Sequence, residues 1–398
     1  MIEAFVLLLF LVGLNHALFQ TLRAKRGYVD ANLLHLLFAY HALFAFVYYS
    51  YVQVNRSDSH QFYRVAMNIG NDWWNLFETG TPFISFVAAP FAQAGLPYAA
   101  VMLLFAWFGF WGFVYAYLWF RESVECEPRI FGNVNFLYVL LFLPNMHFWT
   151  SSLGKGSLIF LGMMMFTYSS VHFQRHWWKM LLGGFIVFMI RPHVLVFLAG
   201  GLAFGYLLAK GNVSQLAKLA IIGAGMVGLW LSANNILAIT GLDDSESVEE
   251  FIEDFQELTT QQSGRLSTSG SGIDMSNYSV PFKMFTFWFR PLFIDSPNFL
   301  GHFSSMENLL YLLIFLHLMD ARLFTFLRQS SPLVLMSLVA FLGVSFILSL
   351  MMSNMGIMLR QKSMVMYFGF YVVYAFLAWK QVAHQQRAQY DQAGMTQY

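Results

Sequence analysis

MLLGGFIVFMIRPHVLVFLAGGLAFGYLLA, Met180–Ala209, is the stretch on which the organisation of the chain turns. Its two apolar runs, Met180–Ile190 and Val194–Ala209, are each short for a membrane crossing, which takes about 20 apolar residues. Between them stands Arg191-Pro192-His193. Proline removes a backbone donor and interrupts the helical ladder, and a cationic tripeptide at such an interruption is a poor neighbour for lipid. The stretch therefore reads as a helical hairpin with Arg191-Pro192-His193 at its outer tip and Lys210 and Lys218 bracketing the next inner turn. The other reading is one long helix kinked at Pro192, which inverts the sidedness of everything downstream.

Composition sets the class. The 398 residues are 58% hydrophobic and 19% aromatic, with 44 Phe and only 11% charged. A soluble domain carries roughly 25% charged residues, so this chain has too few to face water on all sides. The expected fold is an all-α polytopic integral membrane protein. A formal net charge of +1 without a basic block gives no reason to expect a nucleic-acid partner. The single Cys126 excludes an intramolecular disulfide.

Working outward from Pro192, alternation of apolar runs and charges predicts about eleven transmembrane segments, with the N-terminus outside and the C-terminus cytoplasmic. The first run, Ile2–Phe19, lacks the basic flank and cleavage site of a signal peptide and is followed by Arg23, Lys25 and Arg26, which predicts an uncleaved helix. Further spans are expected at about Leu33–Val52, Pro97–Phe120, Asn133–Met146, a helix opening at Lys155, Leu219–Leu237, Met306–Met319, Leu333–Met352 and Met364–Trp379. The whole of 1–398 reads as a single transmembrane domain. Extracytoplasmic loops are expected at about 54–96 and 238–302, and a cytoplasmic tail at 381–398. The later loop runs from acidic (Asp243–Glu257) through Ser/Thr/Gly-rich (Thr259–Gly272) to aromatic (Tyr278–Leu292), which suits either a lid or a plain connector.

Thirteen of the 22 Lys and Arg fall on the cytoplasmic side of this topology, where the positive-inside bias places them. The outer cations need another reason, and recognition of an anionic substrate is the leading one. Lys155 lies in TSSLGKGS at a helix N-terminus, where glycines and free amides could cradle a phosphate. Arg191 and His193 mark the break described above. Arg290 stands beside Asp295 in FRPLFIDSPN, and Arg360 with Lys362 in MLRQKS. A guanidinium can take a phosphate in bidentate fashion, and several cations can share a diphosphate. Arg56, Arg64, Arg265 and Lys283 read as solvated loop charges, and Lys362 fits that reading too.

Asp58, in NRSDSHQFYR, is placed to act as a general base toward a sugar hydroxyl or to pair with Arg56 or Arg64. Trp73 and Trp74 are a headgroup belt or a stacking surface for a sugar, and Glu307 opens a helix on the same side. No spacing of His, Cys or carboxylates signals a metal. A divalent ion between Asp58 and Asp72 is chemically open but unsignalled, and no cofactor is expected. His35 and His41, on an apolar helix, read as packed or hydrogen-bonded.

DSHQFY (Asp58–Tyr63), LPNMHFWTSSLGKGS (Leu143–Ser157), IRPHV (Ile190–Val194), FRPLF with SMENLL (Phe289–Leu310) and NMGIMLRQK (Asn354–Lys362), taken together, resemble bacterial polysaccharide polymerases of the Wzy and EpsG kind. These look related to the GT-C group of membrane glycosyltransferases. The resemblance spans most of the chain but is one of architecture and loose motifs. It implies a GT-C-like fold in the bacterial inner membrane and a sugar substrate carried on polyprenyl phosphate or diphosphate. The reaction would be glycosyl transfer on the outer face, with Asp58 as base and Lys155, Arg191 and Arg360 on the diphosphate, and with other envelope-biosynthesis proteins as partners. An extra N-terminal helix and the absence of a paired-aspartate signature depart from the group. A transporter or flippase for lipid-linked sugars would use the same cations, and a non-catalytic subunit of an envelope complex would make them a docking surface.

Overall fold

The computed structural model describes residues 2–208, 259–268, 271–295 and 299–392. The expected span Leu219–Leu237, the turn at Lys210 and Lys218, and the acidic segment Asp243–Glu257 lie outside the described residues. The described residues are helical almost throughout, and the chain groups into two compact units. The first comprises Met1–Trp119 with Leu141–Arg191, the second Phe120–Leu140 with Pro192–Tyr398.

In the first unit, α1 (Ile2–Lys25) and α2 (Ala31–Val54) are joined by a turn in which Asp30 caps α2, its carboxylate accepting from the amides of Asn32 and Leu33. The segment expected as an outer loop is itself helical: α3 (Asp58–Asn68), a 3-10 turn at Gly70–Leu76, and α4 (Pro82–Gln93). Ser57 caps α3, Pro82 opens α4, and the pair is tied by Ser85 Oγ donating to the Phe62 carbonyl. Next comes α5 (Tyr98–Glu122), which runs on into the second unit; α6 (Phe136–Leu141) lies in that unit up to Leu140, and α7 (Pro144–Thr150) is back in the first. The expected span Asn133–Met146 is thus broken at Pro144, which cannot supply an amide to a continuous helix.

Helices α8 (Lys155–Val171) and α9 (Phe173–Ile190) form an antiparallel hairpin that reverses at His172. Glycine permits it: a Cβ on Gly162 would sit 3.0 Å from the Gly183 carbonyl oxygen, and one on Gly183 would sit 2.7 Å from the Phe166 amide.

In the second unit, β1 (Arg129–Ile130) and β2 (Val134–Asn135) make a two-residue antiparallel ladder with Arg129 opposite Asn135. Helix α10 (Pro192–Leu208) begins at the proline and packs through Gly201 and Gly205 on α14 (Pro332–Met351). Between them in sequence lie α11 (Val280–Phe289), α12 (Phe299–Phe315) and α13 (Arg322–Gln329). Trp288 of α11 stacks on Phe341 of α14 and donates to Ser345 Oγ. The chain continues as α15 (Met355–Gln361) and α16 (Met366–Gln392), whose Tyr367, Tyr371 and Tyr374 close on Phe120.

Among the described residues, four helices are long and apolar enough to cross a membrane: α1, α2, α5 and α14. The number is six if each of two bent pairs, Gly301–Leu318 with Arg322–Gln329 and Met355–Gln361 with Met366–Arg387, is counted as one span. Apolar helix α8 has only 17 residues, and α10 is described over Pro192–Leu208. The break expected at Arg191-Pro192 is present: α9 ends at Ile190, Arg191 is non-helical, and Pro192 is the first residue of α10. Helix α9 is longer than the apolar run Met180–Ile190, because it begins at Phe173 and takes in Gln174-Arg175-His176, with a kink at His176.

Candidate functional site

The α8/α9 hairpin fixes the ends of both helices. Tyr168 lies against His176, Phe166 against Gly183, and Gly162 against Val187, so numbers rise on one helix as they fall on the other. Followed outward, this register brings Lys155, the first residue of α8, and Arg191, which terminates α9, to the same end of the hairpin. The loop before Lys155 is held tightly. Ser157 Oγ donates to the carbonyls of Ser152 and Gly154, and a Cβ on Gly156 would fall 2.3 Å from the Trp149 carbonyl oxygen. Both Lys155 and Arg191 are half-buried.

Helix α3 meets the same loop: Phe62 lies 3.9 Å from where Gly154 would carry a Cβ. Asp58 is one turn earlier on α3, at its first residue, and exposed. Three of the expected site residues of this unit are therefore presented by elements that adjoin at one end of the hairpin.

A cavity of about 380 Å³ opens along the hairpin. Leu158 and Leu161 of α8, Ile186 of α9, and Trp107, Phe108 and Trp111 of α5 line it. The Trp107 indole N–H is committed to Asn15 Oδ1 at 3.0 Å, and Trp111 Nε1 is buried without an acceptor. The lining thus offers hydrocarbon and ring surface and almost no polar contact. Leu158 lies one turn into α8 from Lys155, and Ile186 a little over one turn before Arg191. The two helices that wall the groove thus end at Lys155 and next to Arg191, about one turn beyond its lining residues.

Trp73 and Trp74 sit in the 3-10 turn before α4. One face of Trp73 is taken by Phe86, stacked at 4.6 Å and 9°, and its indole N–H donates to the Phe86 carbonyl. Trp74 is 66% exposed, so of the two it keeps a surface open for stacking.

In the second unit, Arg290 is engaged by Asp295 through two side-chain hydrogen bonds, and it also donates to the Tyr278 hydroxyl. That pairing uses the fork geometry a phosphate would need. The Arg290 guanidinium holds the Asp295 carboxyl below the usual carboxylate range. A carboxyl depressed in the folded state contributes stability that is full above its unfolded value and is lost as pH falls through the folded one. Melting curves in detergent should therefore be flat from neutral pH to the ordinary carboxylate range and decline below it. Asp295→Asn should remove that part of the decline, about 1 kcal/mol after solvent screening.

Lys362 corrects the reading as a solvated loop charge: its side chain is 0% exposed. Its Nζ donates to the Arg290 carbonyl at 2.8 Å and to Asn308 Oδ1 at 2.6 Å, while Asn308 Nδ2 donates to the Pro291 carbonyl at 2.8 Å. Glu307, expected to open a helix on the outer side, lies instead well inside α12. It is buried and accepts from the Tyr311 hydroxyl. Arg360 is half-buried at the end of α15, and His193 is half-buried in the first turn of α10. No group of three His, Cys, Asp or Glu side chains is gathered among the described residues.

Searches of protein-family models, of curated proteins and of solved structures match nothing to this chain.

Proposed function

We propose that the chain is a glycosyltransferase of the polysaccharide-polymerase class that acts at the outer face of the bacterial plasma membrane on sugars carried by polyprenyl phosphate or diphosphate. The observation that carries this reading is the α8/α9 hairpin with its groove: an apolar, aromatic cavity walled by two helices that end at Lys155 and Arg191. A ligand complementary to it has an anionic head and a long hydrocarbon tail. Cations at a membrane edge can grip the head, and the groove can take the first part of the tail. The full topology of about eleven spans with an external N-terminus is part of the same reading. It places the Lys155 and Arg191 end outside.

In the transfer step, Asp58 accepts the proton of the acceptor hydroxyl, whose oxygen forms the bond to the anomeric carbon. The bond from that carbon to the phosphate oxygen breaks, and the leaving phosphate carries its charge away. Lys155 and Arg191 hold that charge, the α8 N-terminus adding its free amides.

Titration of the full-length protein in nanodiscs with undecaprenyl diphosphate, followed by quenching of the groove tryptophans, tests the reading. A charge-assisted contact is worth about 1.5–3 kcal/mol, so Arg191→Ala or Lys155→Ala should weaken binding roughly 10- to 100-fold. Undecaprenol should bind both variants as it binds the wild type. Equal binding of the diphosphate to wild type and variants would remove both cations from the site. In cells, Arg191→Ala should insert and accumulate normally yet make no glycan.

A further inference from the structure

His41 lies near the middle of α2 and His147 in α7, and their side chains are 1% and 0% exposed. His41 Nε2 stands 3.0 Å from the Ala106 carbonyl oxygen, and His147 Nε2 stands 2.7 Å from that of Leu141. A carbonyl oxygen only accepts, so each contact is a hydrogen bond only if the nitrogen carries the proton. The two remaining nitrogens, both Nδ1, face each other at 2.8 Å.

Two neutral imidazoles own two ring protons, and both are committed to carbonyls. The Nδ1 to Nδ1 contact needs a third. Without it, two lone pairs point at each other at hydrogen-bonding distance. Moving a proton into it from either Nε2 sets a bare ring nitrogen against a carbonyl oxygen, again inside the bundle, where an unmet polar contact costs most.

We propose that His41 and His147 form a proton-binding site, an imidazole and an imidazolium sharing one proton between their Nδ1 atoms and carrying one positive charge within the first unit. The surroundings suit a delocalised cation. Phe113 stacks on His147 at 4.0 Å and 2°, Tyr40 meets it edge-on at 4.8 Å, and Phe110 and Phe44 complete the ring contacts. Aromatic faces attract a cation, and both outer N–H groups end on carbonyls. Burial opposes the charge, while the carbonyl acceptors and the ring faces act in its favour. Tyr40 is the one titratable group among those rings, and its hydroxyl donates to the Phe142 carbonyl.

The pair His16 and His35 shows the contrast. It makes a single Nδ1 to Nε2 contact of 3.2 Å, and His16 is exposed. Two neutral rings satisfy that geometry, with no additional proton.

An ionisable group inside an apolar helix is costly and commonly functional. Here the shared proton joins α2 to α7, and α7 leads directly into the loop that positions Lys155. Its loss would set like lone pairs against each other at that joint.

The test is nuclear magnetic resonance on the full-length, 15N-histidine-labelled protein in detergent at neutral pH. The expected spectrum shows one ring protonated on both nitrogens and a far low-field proton coupled to two Nδ1 nuclei. His41→Gln and His147→Asn should each abolish that signal. The coupling across the hydrogen bond identifies the two rings by itself, so the reading does not depend on the variants folding. Two singly protonated rings at neutral pH would overturn the proposal.

Discussion

Lys362→Ala is expected to destabilise the protein by about 3–5 kcal/mol, the range for removing one member of a buried charged set. The ammonium is fully enclosed and has two acceptors within 2.8 Å, the Arg290 carbonyl and Asn308 Oδ1. Glu307, the charge that acts on it most directly, is 6% exposed. Truncation strands both acceptors in the interior and removes the cation whose field Glu307 feels. Together with Asn308, Lys362 holds two consecutive carbonyls, those of Arg290 and Pro291, so the loop from α11 to α12 should loosen as well. Thermal unfolding in detergent measures the loss. The double variant Lys362→Met with Glu307→Gln should recover part of it, because neutralising both partners removes the stranded charge. An unshifted melting curve for Lys362→Ala would show that the buried contacts carry no net stability.

Gly183→Val should be the next most damaging change. The added Cβ would come within 2.7 Å of both the Gly162 carbonyl oxygen and the Phe166 amide. These are backbone atoms of the facing helix, so no side-chain rotation relieves the clash and α8 and α9 must separate. Overpacking costs about 1–3 kcal/mol, occasionally more, and a rigid contact belongs at the upper end. Separation also widens the groove and shifts Lys155 relative to Arg191. Diphosphate binding should therefore fall with stability. Gly200, which has nothing within 4 Å, serves as the control. Alanine there should be neutral or mildly stabilising, by about 0.5–1 kcal/mol. If Gly183→Val melts like the wild type, the hairpin is not packed through its glycines.

Local chemistry made some features legible in the sequence. Apolar runs announced the helical class, Pro192 announced the break to the residue, and the Gly-Lys-Gly-Ser turn announced the start of α8. Sidedness and span number rest on alternation, which the short helix α8 does not settle by length. Helix α3 was hidden because its apolar positions are few and polar residues interrupt them, whereas α4 is largely apolar but only 12 residues long, too short to stand out from the expected loop. Lys362 was hidden for a geometric reason. It is two residues from Arg360, and at 3.6 residues per turn two positions lie roughly 200° apart. Two neighbouring cations therefore point in nearly opposite directions, one inward. Its partner Asn308 is 54 residues away, and His147 is 106 residues from His41. Pairings of that range leave no trace in spacing. Arg290 was seen together with Asp295, but only coordinates show that the carboxylate already occupies the guanidinium fork.

The shortness of α8 has a consequence for the lipid around it. Seventeen residues rise roughly 25 Å, against a hydrocarbon core of about 30 Å. If this helix stands in a bilayer, the annulus beside it must thin or headgroups must dip to meet its ends. A locally thin membrane would bring polar headgroups closer to Lys155. The thickness of the host bilayer then becomes a control on the protein, set by acyl-chain length and independent of any residue substitution.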